Sequence, residues 1–225
     1  MPSLSIPPAQ DPQSKRERRK EARPGELLQA ALELFVEKGY AATRSEEVAT
    51  RAGVSKGTLF LYFSSKEDLF KAVIQSNLSH HLMAWNQAFE GFEGSSADML
   101  AYGLTSWWTQ IGSTLAGGIT KLVMSEARNF PEIAAFYERE VVMPGQSLIE
   151  RILQRGIDRG EFRPMDVHHV CMSLVSAMMF LMMWKHSLGP CSTTRSSFDP
   201  ETFLLTHLDT LLNGLRQPPR AETSS

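Results

Sequence analysis

The stretch Glu47 to Leu69 reads EVATRAGVSKGTLFLYFSSKEDL, and it decides the fold of the N-terminal part of the chain. Ala49 and Gly53 lie four residues apart, so that a small side chain lets the next helix cross closely while the glycine permits a positive backbone angle. Leu59 and Phe63, again four apart, are expected to hold the following helix against the same core. The pattern predicts two short helices joined by a tight turn, the helix-turn-helix arrangement.

The second of these helices is predicted to begin at Ser55 and to expose a polar leading edge. Gly57 has no side chain, so the helix could lie deep in a DNA major groove, where Lys56 and Thr58 could reach base edges or phosphates. Tyr62 and Lys66 are placed to hydrogen-bond the DNA backbone. The DNA contacts expected from the pattern are Ser55, Lys56, Gly57, Thr58, Leu61, Tyr62 and Lys66. A similar turn also occurs in helical proteins that bind no DNA, and a protein-interaction module is the alternative.

The order G-Y-x-x-T, then V-A-x-x-A-G-V-S-K-G-T-L-F-x-Y-F-x-S-K-E-x-L, resembles the DNA-binding module of the TetR/AcrR family of regulators. The resemblance is strong over 39–69 and moderate over 23–38. Farther on it is confined to the helical layout and to EARNFPEIAAFY at 126–137, which is similar to ligand-domain segments of some members. The family often has Tyr where this chain has Phe60, so that the hydroxyl contact to phosphate is not expected here. Arg44 replaces a residue that is commonly small and hydroxylated, and it could add a phosphate contact.

Helical periodicity covers nearly the whole chain without the alternation typical of strands, which predicts an all-α fold. We expect an N-terminal three-helix helix-turn-helix domain, followed by a larger helical domain that the resemblance identifies with effector binding and dimerisation. The predicted divisions are a disordered basic arm at 1–22, a DNA-binding domain at 23–71, an effector-binding and dimerisation domain at 72–216 and a disordered tail at 217–225. The segment Ser14–Lys20, SKRERRK, could instead extend the first helix.

Local signals predict where several helices begin and end. Gly39 should end a helix over 24–38 as a left-handed cap, and Thr43 should cap the next helix while Glu46 reaches back. Pro144 should kink a helix over 132–159, because proline lacks the backbone N–H that a helix interior needs. Three further prolines stand at plausible helix starts, namely Pro131, Pro164 and Pro200.

The charge distribution suits an N-terminal module that binds anions and a body that does not. The whole chain of 225 residues has a formal net charge of −2. The part up to Lys71 carries +2 and the rest carries −4.

Cysteine usage and hydropathy favour a cytoplasmic protein without a membrane segment. The two cysteines, Cys171 and Cys191, are too few for a disulfide scaffold. Cys171 lies in an apolar helical run and is interpreted as a buried reduced thiol, the alternative being a redox-sensing pair with Cys191. The opening residues 1–13 do not form a secretory signal. The longest apolar run, 170–184, is shorter than the roughly 17–25 residues that a spanning helix needs.

Two C-terminal helices carry broad apolar faces that are suited to pairing with a second copy. The helix at 166–188 is apolar on nearly all sides, and such a helix needs more cover than its own chain often supplies. The residues expected at a homodimer interface are Val167, Val170, Leu174, Met178, Met182, Leu204, Leu208, Leu211 and Leu215. The alternative is that they form the core of a single chain.

Large aromatic and methionine side chains in the C-terminal domain are candidates for an apolar effector pocket, because such side chains line pockets well. The candidates are Trp107, Trp108, Met124, Glu126, Phe136, Tyr137, Met178 and Trp184, with Glu126 at the edge of an apolar face. Ordinary core packing is the alternative for the apolar members, and a surface salt bridge is the alternative for Glu126.

No pattern in the sequence indicates an enzyme, a cofactor or a metal site. The histidine pairs His80–His81 and His168–His169 point about 100° apart on a helix, which disfavours binding of one ion. Phosphate-binding loops, nucleophile elbows and paired catalytic carboxylates are not found. The resemblance therefore implies a homodimeric repressor that binds a palindromic DNA operator and is released by a small, largely apolar effector. A ligand-independent or activating DNA-binding protein of the same fold is the alternative.

Overall fold

The computed structural model describes residues 12–192 and 198–216, with side chains from Arg23 onward. Within these ranges the chain is helical, and its β-structure is confined to an isolated bridge between Phe162 and Arg216. The predicted all-α class is confirmed. Contacts between Cα atoms divide the chain into two compact units, Met1–Val73 and Ile74–Ser225, two residues beyond the boundary expected from the sequence. The predicted disordered tail at 217–225 lies outside the described residues.

The N-terminal unit is built from four helices: α1 (Pro12–Lys38), α2 (Ser45–Arg51), α3 (Lys56–Tyr62) and α4 (Lys66–Ile74). Helix α1 begins well before the expected start, so that the backbone of 12–22 extends this helix instead of forming a disordered arm. The segment is rich in Arg, Lys and Glu, which have high helix propensity. Residues 1–11 of the predicted arm lie outside the described residues.

An aromatic cluster forms the centre of the N-terminal unit. The ring centroids of Phe35 and Phe70 lie 4.9 Å apart, and those of Tyr40 and Phe70 lie 5.2 Å apart. Gly39, with φ of +89°, ends α1 in the left-handed conformation that the sequence predicted. This turn brings Tyr40 back against Phe35, so that the start of the α1–α2 connection becomes part of the core.

The C-terminal unit contains eight α-helices among its described residues. These are α5 (His80–Glu90), α6 (Ser96–Trp107), α7 (Gly117–Glu126), α8 (Pro131–Tyr137), α9 (Met143–Asp158), α10 (Val167–Met183), α11 (Gly189–Cys191) and α12 (Pro200–Leu215). Four π-helical turns adjoin them, at Gln75–Ser79, Trp108–Gly112, Glu138–Val142 and Trp184–Leu188. Helix α10 packs against α7, α9 and α12, which makes it the central element of this unit.

Proline placement agrees with the expected helix starts at Pro131 and Pro200, both in the first turn of their helices. Pro164 differs, because α10 begins three residues later, where the Asp166 side chain accepts a hydrogen bond from the His169 N–H. Pro144 stands inside a continuous helical run, because α8, the π turn Glu138–Val142 and α9 follow one another without a break. The π turn directly before Pro144 distorts the helix at the place where the sequence predicted an interruption, and the kink itself stays a prediction.

Arg155 on α9 holds the connection between α5 and α6. Its guanidinium donates to the backbone oxygens of Phe92, at 3.1 Å, and Gly94, at 2.9 Å, and to Ser96 Oγ at 3.2 Å. These bonds satisfy carbonyl groups that lie outside any helix. The start of α6 is thereby fixed against α9, and these two helices later contribute to one wall of a pocket.

Several residues expected at a dimer interface are instead core residues of the single chain. Leu174 and Met182 on α10 are buried, as are Leu204, Leu208 and Leu215 on α12. The reason is that α10 packs against α7, α9 and α12 within the unit, and Met182 also lines the first of the pockets described below. Val167, Val170 and Leu211 remain half-buried. The alternative interpretation, intrachain core, therefore holds for the five buried residues.

The helical run that includes α10 is longer than the sequence suggested. The π turn after Met183 and helix α11 extend the run to Val167–Cys191, which is long and apolar enough to cross a membrane by length and composition alone. In a single copy of the chain, 28% of the most apolar 18-residue stretch of this run is buried. The other residues of this run are half-buried or exposed, and Phe180 and Leu188 are its large exposed apolar side chains.

The two cysteines differ in environment. Cys171 is fully buried on α10, as predicted, whereas Cys191 is exposed. Burial, with a smaller contribution from the charge of Glu150, raises the pKa of the Cys171 thiol to about 11. This thiol is therefore protonated at neutral pH, which makes it a poor nucleophile.

Candidate nucleic-acid interface and ligand pocket

The turn between α2 and α3 has the backbone conformation that the sequence predicted. Gly53 has φ of +66°, and its N–H donates to the Thr50 oxygen at 3.0 Å. The N–H of Val54 donates to the Ala49 oxygen at 2.9 Å, which closes the turn. Ala49 and Leu59 are buried on the inner faces of the two helices. This packing fixes which side of α3 faces outward.

The outer face of α3 carries most of the residues expected to contact DNA. Ser55 caps the helix, because its Oγ accepts a hydrogen bond from the Thr58 N–H at 3.1 Å. The two hydroxyl oxygens of Ser55 and Thr58 also lie 2.9 Å apart. Leu61 is 83% exposed, whereas the side chains of Thr58 and Tyr62 are half-buried. The face therefore presents a hydroxyl pair and an apolar side chain at its two ends.

Lys56 lies on the exposed face and forms an ion pair within the unit. Its Nζ is 2.5 Å from Glu46 Oε1 and 5.7 Å from the centre of the Phe60 ring. The hydrogen bond from Lys56 lowers the pKa of the Glu46 carboxyl, so that the pair is charged at neutral pH. Both side chains are more than half exposed, and exposed ion pairs are weak in water. The ammonium group can therefore exchange Glu46 for a phosphate.

The start of α2 is capped differently from the prediction. The Thr43 hydroxyl is buried and donates to the Leu34 and Gly39 carbonyl oxygens, at 3.1 Å and 2.7 Å, so it does not cap α2. Glu47, not Glu46, reaches back, and its carboxylate accepts from the Arg44 N–H at 3.2 Å. Arg44 is therefore the N-cap residue of α2, and it is exposed.

Lys66, expected to bind a DNA phosphate, is engaged inside the N-terminal unit. Its ammonium group donates to the backbone oxygens of Tyr40, Ala41 and Thr43, at 2.8, 3.3 and 3.1 Å. It also lies 4.4 Å from the centre of the Tyr40 ring. Three carbonyl groups use the three N–H donors of a lysine, so that this charge stabilises the α1–α2 connection. The sequence could not show this, because Tyr40 and Lys66 are far apart along the chain.

Gly57 has no structural reason to be glycine within the N-terminal unit. A Cβ atom at this position would meet nothing closer than Ser55 Oγ at 3.8 Å, an ordinary contact, and its φ is not positive. Glycine in a helix is destabilising relative to alanine. Its presence on the exposed face is consistent with a surface that comes very close to a partner.

The C-terminal unit contains two adjoining apolar pockets. They enclose about 660 Å³ and 490 Å³ of space, and these figures include the space at their open mouths. The first lies against Thr120, Tyr137 and Gln146, and the second continues toward Leu100 and Leu104. Six residues line both pockets: Leu82, Trp85, Trp107, Gly145, Ile149 and Met178.

Three of the predicted effector-pocket residues line these pockets, namely Trp107, Tyr137 and Met178. The other five are not among the described residues that line either pocket. Met124 is 54% exposed, and Glu126 accepts a hydrogen bond from Asn129. Trp108 and Phe136 are buried, and Trp184 packs on Phe198 with ring centroids 4.9 Å apart.

Sequence reasoning missed most of the pocket walls. Leu78 and Leu82 come from the segment after α4, and Gly145, Gln146 and Ile149 come from α9. Their spacing of three to four residues is the ordinary signal of a buried helix face, so it does not distinguish a wall from a core. The best signal in the sequence for the position of the pocket was Thr120, because a polar side chain within the apolar run of α7 requires a hydrogen-bond partner.

The second histidine pair, His168–His169, has carboxylate partners. His168 Nδ1 lies 2.9 Å from Glu150 Oε1, and His169 Nδ1 lies 2.9 Å from Asp166 Oδ2. Across the described residues, no group of three His, Cys, Asp or Glu side chains could hold a metal ion.

Comparison with known proteins gives two matching family models. Residues 27–73 match the bacterial regulatory proteins of the tetR family. Residues 93–191 match a C-terminal domain described as tetracyclin repressor-like. The matches fall on the two units separately, the first on the helix-turn-helix and the second on the helices that surround the pockets.

Individual relatives agree with these matches. The uncharacterized HTH-type transcriptional regulator YfiR of Bacillus subtilis is 31% identical over 149 residues, covering 65% of this chain and 71% of its own. The HTH-type transcriptional repressor KstR2 of Rhodococcus jostii is 27% identical over 217 residues, which cover 96% of this chain and 99% of KstR2. Among solved structures, the transcriptional regulator FadR of Bacillus subtilis in complex with stearoyl-CoA has a TM-score of 0.66 at 19% identity, covering 84% of this chain and 98% of its own.

Replacing Gly57 by alanine tests the close approach at the outer face of α3. We expect Gly57→Ala to fold normally and to bind duplex DNA at least about tenfold more weakly, because an added methyl group in a tight contact costs about 1–3 kcal/mol. Far-UV circular dichroism and fluorescence anisotropy of a labelled operator measure the two effects. Gly91→Ala is the control, since a Cβ there would meet nothing within 4 Å and its φ is not positive. Unchanged affinity of Gly57→Ala would contradict close approach.

Replacing Lys66 by methionine separates its role within the unit from a role on DNA. We expect Lys66→Met to lower the free energy of unfolding by about 1.5–3 kcal/mol, the usual contribution of hydrogen bonds to a charged group. Urea unfolding followed by circular dichroism measures this loss. Lys71→Met is the matched control on the same helix, where the ammonium pairs with Glu67 one turn away and both side chains are half-buried.

The salt dependence of operator affinity completes the test of Lys66. Since its donors are occupied by carbonyl groups, the slope of log affinity against log salt should not change in Lys66→Met. A slope smaller by about one unit would show instead that Lys66 neutralises a phosphate in the complex.

Proposed function

The chain belongs to the tetR family of bacterial regulatory proteins, and from this premise we propose that it is a cytoplasmic homodimeric repressor. In this proposal two helix-turn-helix units occupy successive major grooves of a palindromic operator, roughly one helical turn apart. A small, largely apolar effector releases the protein from the DNA. The chain is a regulator and, like its relatives, is not proposed to be an enzyme.

The observation that carries the proposal is the exposed face of α3. Its inner residue Leu59 is fully buried, so that the helix cannot rotate without exposing the core. Lys56, Gly57 and Leu61 are consequently held on the outside. A cation, a position without a side chain and an apolar group on one short helix suit phosphate, close groove contact and a thymine methyl group.

Arg44 and Tyr62 extend this candidate surface. Arg44 is exposed at the start of α2, and Tyr62 is half-buried at the end of α3. Contacts from both ends to the sugar-phosphate backbone would fix the register of α3 on the bases. The proposed DNA-contact set is therefore Arg44, Ser55, Lys56, Gly57, Thr58, Leu61 and Tyr62, with Lys66 acting from within the unit.

The proposed homodimer uses the outer faces of α10 and α12. Phe180 and Leu205 are 41% and 52% exposed, and the half-buried Val170 and Leu211 line a groove between the two helices. Phe180 and the other exposed side chains of α10 would gain cover from an identical helix in another copy. The five buried leucine and methionine residues predicted for the interface would lie beneath it, in the core of each copy.

The proposed release mechanism is a shift between two populations. An effector in the apolar pockets would favour a form whose two DNA-binding units no longer match the operator spacing. Repression is supported by the likeness to the repressor KstR2 along nearly the whole of both chains. The alternative is a ligand-independent or activating regulator, and its operator affinity would not respond to apolar compounds.

Selection of bound fragments from random duplex DNA, repeated with candidate ligands, tests the function as a whole. We expect a palindromic site, and Lys56→Ala should bind it about ten- to a hundredfold more weakly because a contact of about 1–3 kcal/mol is lost. Lys185→Ala, which removes the same charge from the exposed surface of the C-terminal unit, should bind normally. Failure of the purified protein to bind any duplex at low salt would overturn the proposal.

A charge placed on the outer face of α12 tests the dimer. We expect Leu205→Glu to shift the protein from dimer to monomer in sedimentation velocity, because two glutamates would be buried near the symmetry axis at a cost of several kcal/mol. Met124→Glu on α7 is the matched control, with a nearly equal exposed fraction of 54% against 52%. A dimer that persists in Leu205→Glu at low micromolar concentration would place the interface elsewhere.

A further inference from the structure

We propose that the pockets of the C-terminal unit select elongated ligands whose polar end is an uncharged hydrogen-bond acceptor, such as an ester or ketone carbonyl, received by the hydroxyl pair of Thr120 and Tyr137. This inference rests on the effector site proposed above and specifies the chemistry of its ligand. It follows from the walls of the pockets, from the hydrogen bonds of the pair and from the way the pockets adjoin.

The described residues that line the two pockets carry no charge. Their walls consist of aliphatic, aromatic and methionine side chains, with Thr120, Tyr137 and Gln146 as the polar members apart from glycine and the indole N–H groups. A carboxylate or ammonium group brought into such a site would lose its hydration without gaining an opposite charge, which is strongly unfavourable. The polar end of a bound ligand is therefore neutral.

The hydroxyl pair has one hydrogen to spare. Thr120 Oγ1 and Tyr137 Oη lie 2.8 Å apart and share one hydrogen bond. Each hydroxyl carries one hydrogen, and one of the two forms the bond between them. Among the described residues the other hydrogen has no acceptor. A buried donor without an acceptor is unfavourable, and a ligand oxygen would relieve that.

Tyr137 remains a neutral donor throughout the physiological range. Tyr137 is half-buried and forms part of the wall of the first pocket. Loss of hydration raises the pKa of Tyr137 to about 12, against a smaller opposing effect of the Thr120 hydrogen bond. The phenol therefore cannot supply a negative charge for a cationic ligand.

The pockets adjoin in series, which favours a long ligand over a compact one. The first pocket holds the hydroxyl pair, and the second shares Trp85, Trp107 and Met178 with it. A third, smaller pocket shares Trp85 and Gly103 with the second and ends at Phe92, Met99 and Tyr102. An alkyl chain anchored at the hydroxyl pair would extend along these apolar walls.

Titration calorimetry of the full-length protein with methyl laurate and with laurate tests the proposal, because the two ligands share a chain and differ in the charge of the head group. We expect the neutral ester to bind at least about tenfold more tightly than the carboxylate at neutral pH. In the double variant Thr120→Val/Tyr137→Phe the affinity for the ester should fall about tenfold, the usual effect of leaving a polar group unpaired. Thr105→Val, which removes an exposed hydroxyl on α6 that lines none of these three pockets, should bind the ester as the parent protein does.

A second variant keeps the test decisive if the double variant is unstable. Met178→Trp places a larger side chain where the first two pockets meet and should abolish binding of the ester while the circular dichroism spectrum is unchanged. Equal affinity for laurate and methyl laurate, or no calorimetric binding of the ester by the parent protein, would overturn the proposal. So would unchanged ester affinity in a folded double variant.

Failure of this inference can be distinguished from failure of the proposed function. Duplex binding is measured without ligand, and it depends on the N-terminal unit. A protein that binds and releases its operator but prefers the carboxylate would refute the inference alone. A protein that binds the ester through Thr120 and Tyr137 but binds no duplex would refute the regulator alone.

Discussion

The backbone conformation at Gly53 is the constraint on which the DNA-binding surface depends. A positive φ at this residue lets the chain change direction between α2 and α3 within four residues, and the Val54 N–H then closes the turn on Ala49. Because Leu59 must be buried after such a turn, the rotation of α3 about its own axis is fixed. The residues that lie outward on α3 follow from this geometry.

Positive charge in the N-terminal unit serves two separate purposes. Lys66 is directed inward and satisfies three carbonyl groups of the α1–α2 connection, which has no helical hydrogen bonds of its own. Lys56 is directed outward and is held by Glu46 through an exposed pair that a phosphate can replace. The same residue type thus acts as a structural donor at one position and as a candidate ligand-binding group at another, and the difference is the local supply of carbonyl oxygens.

Helix α10 shows how one apolar helix can serve several contacts. Leu174 and Cys171 face the core, Met178 and Met182 face the pocket, and Phe180 lies on the outside. A helix whose own side chains are apolar on nearly all sides has no polar face to indicate which side points to solvent. Its sequence therefore showed that it needs cover, but it could not show which residues are covered by the chain, by a ligand or by a second copy.

The sequence alone determined the helical class, the positive angles at Gly39 and Gly53 and the outer face of α3, because these depend on periodicity and turn chemistry within a few residues. Only the tertiary structure decided that Lys66 binds carbonyl groups near Tyr40, that Thr43 faces α1 and that Thr120 meets Tyr137 beside a pocket. It also showed that Met124 and Trp184 are not among the residues that line the two pockets and that Leu204 lies in the core. Such contacts join residues distant along the chain, and spacing carries no information about which distant faces meet when helices pack.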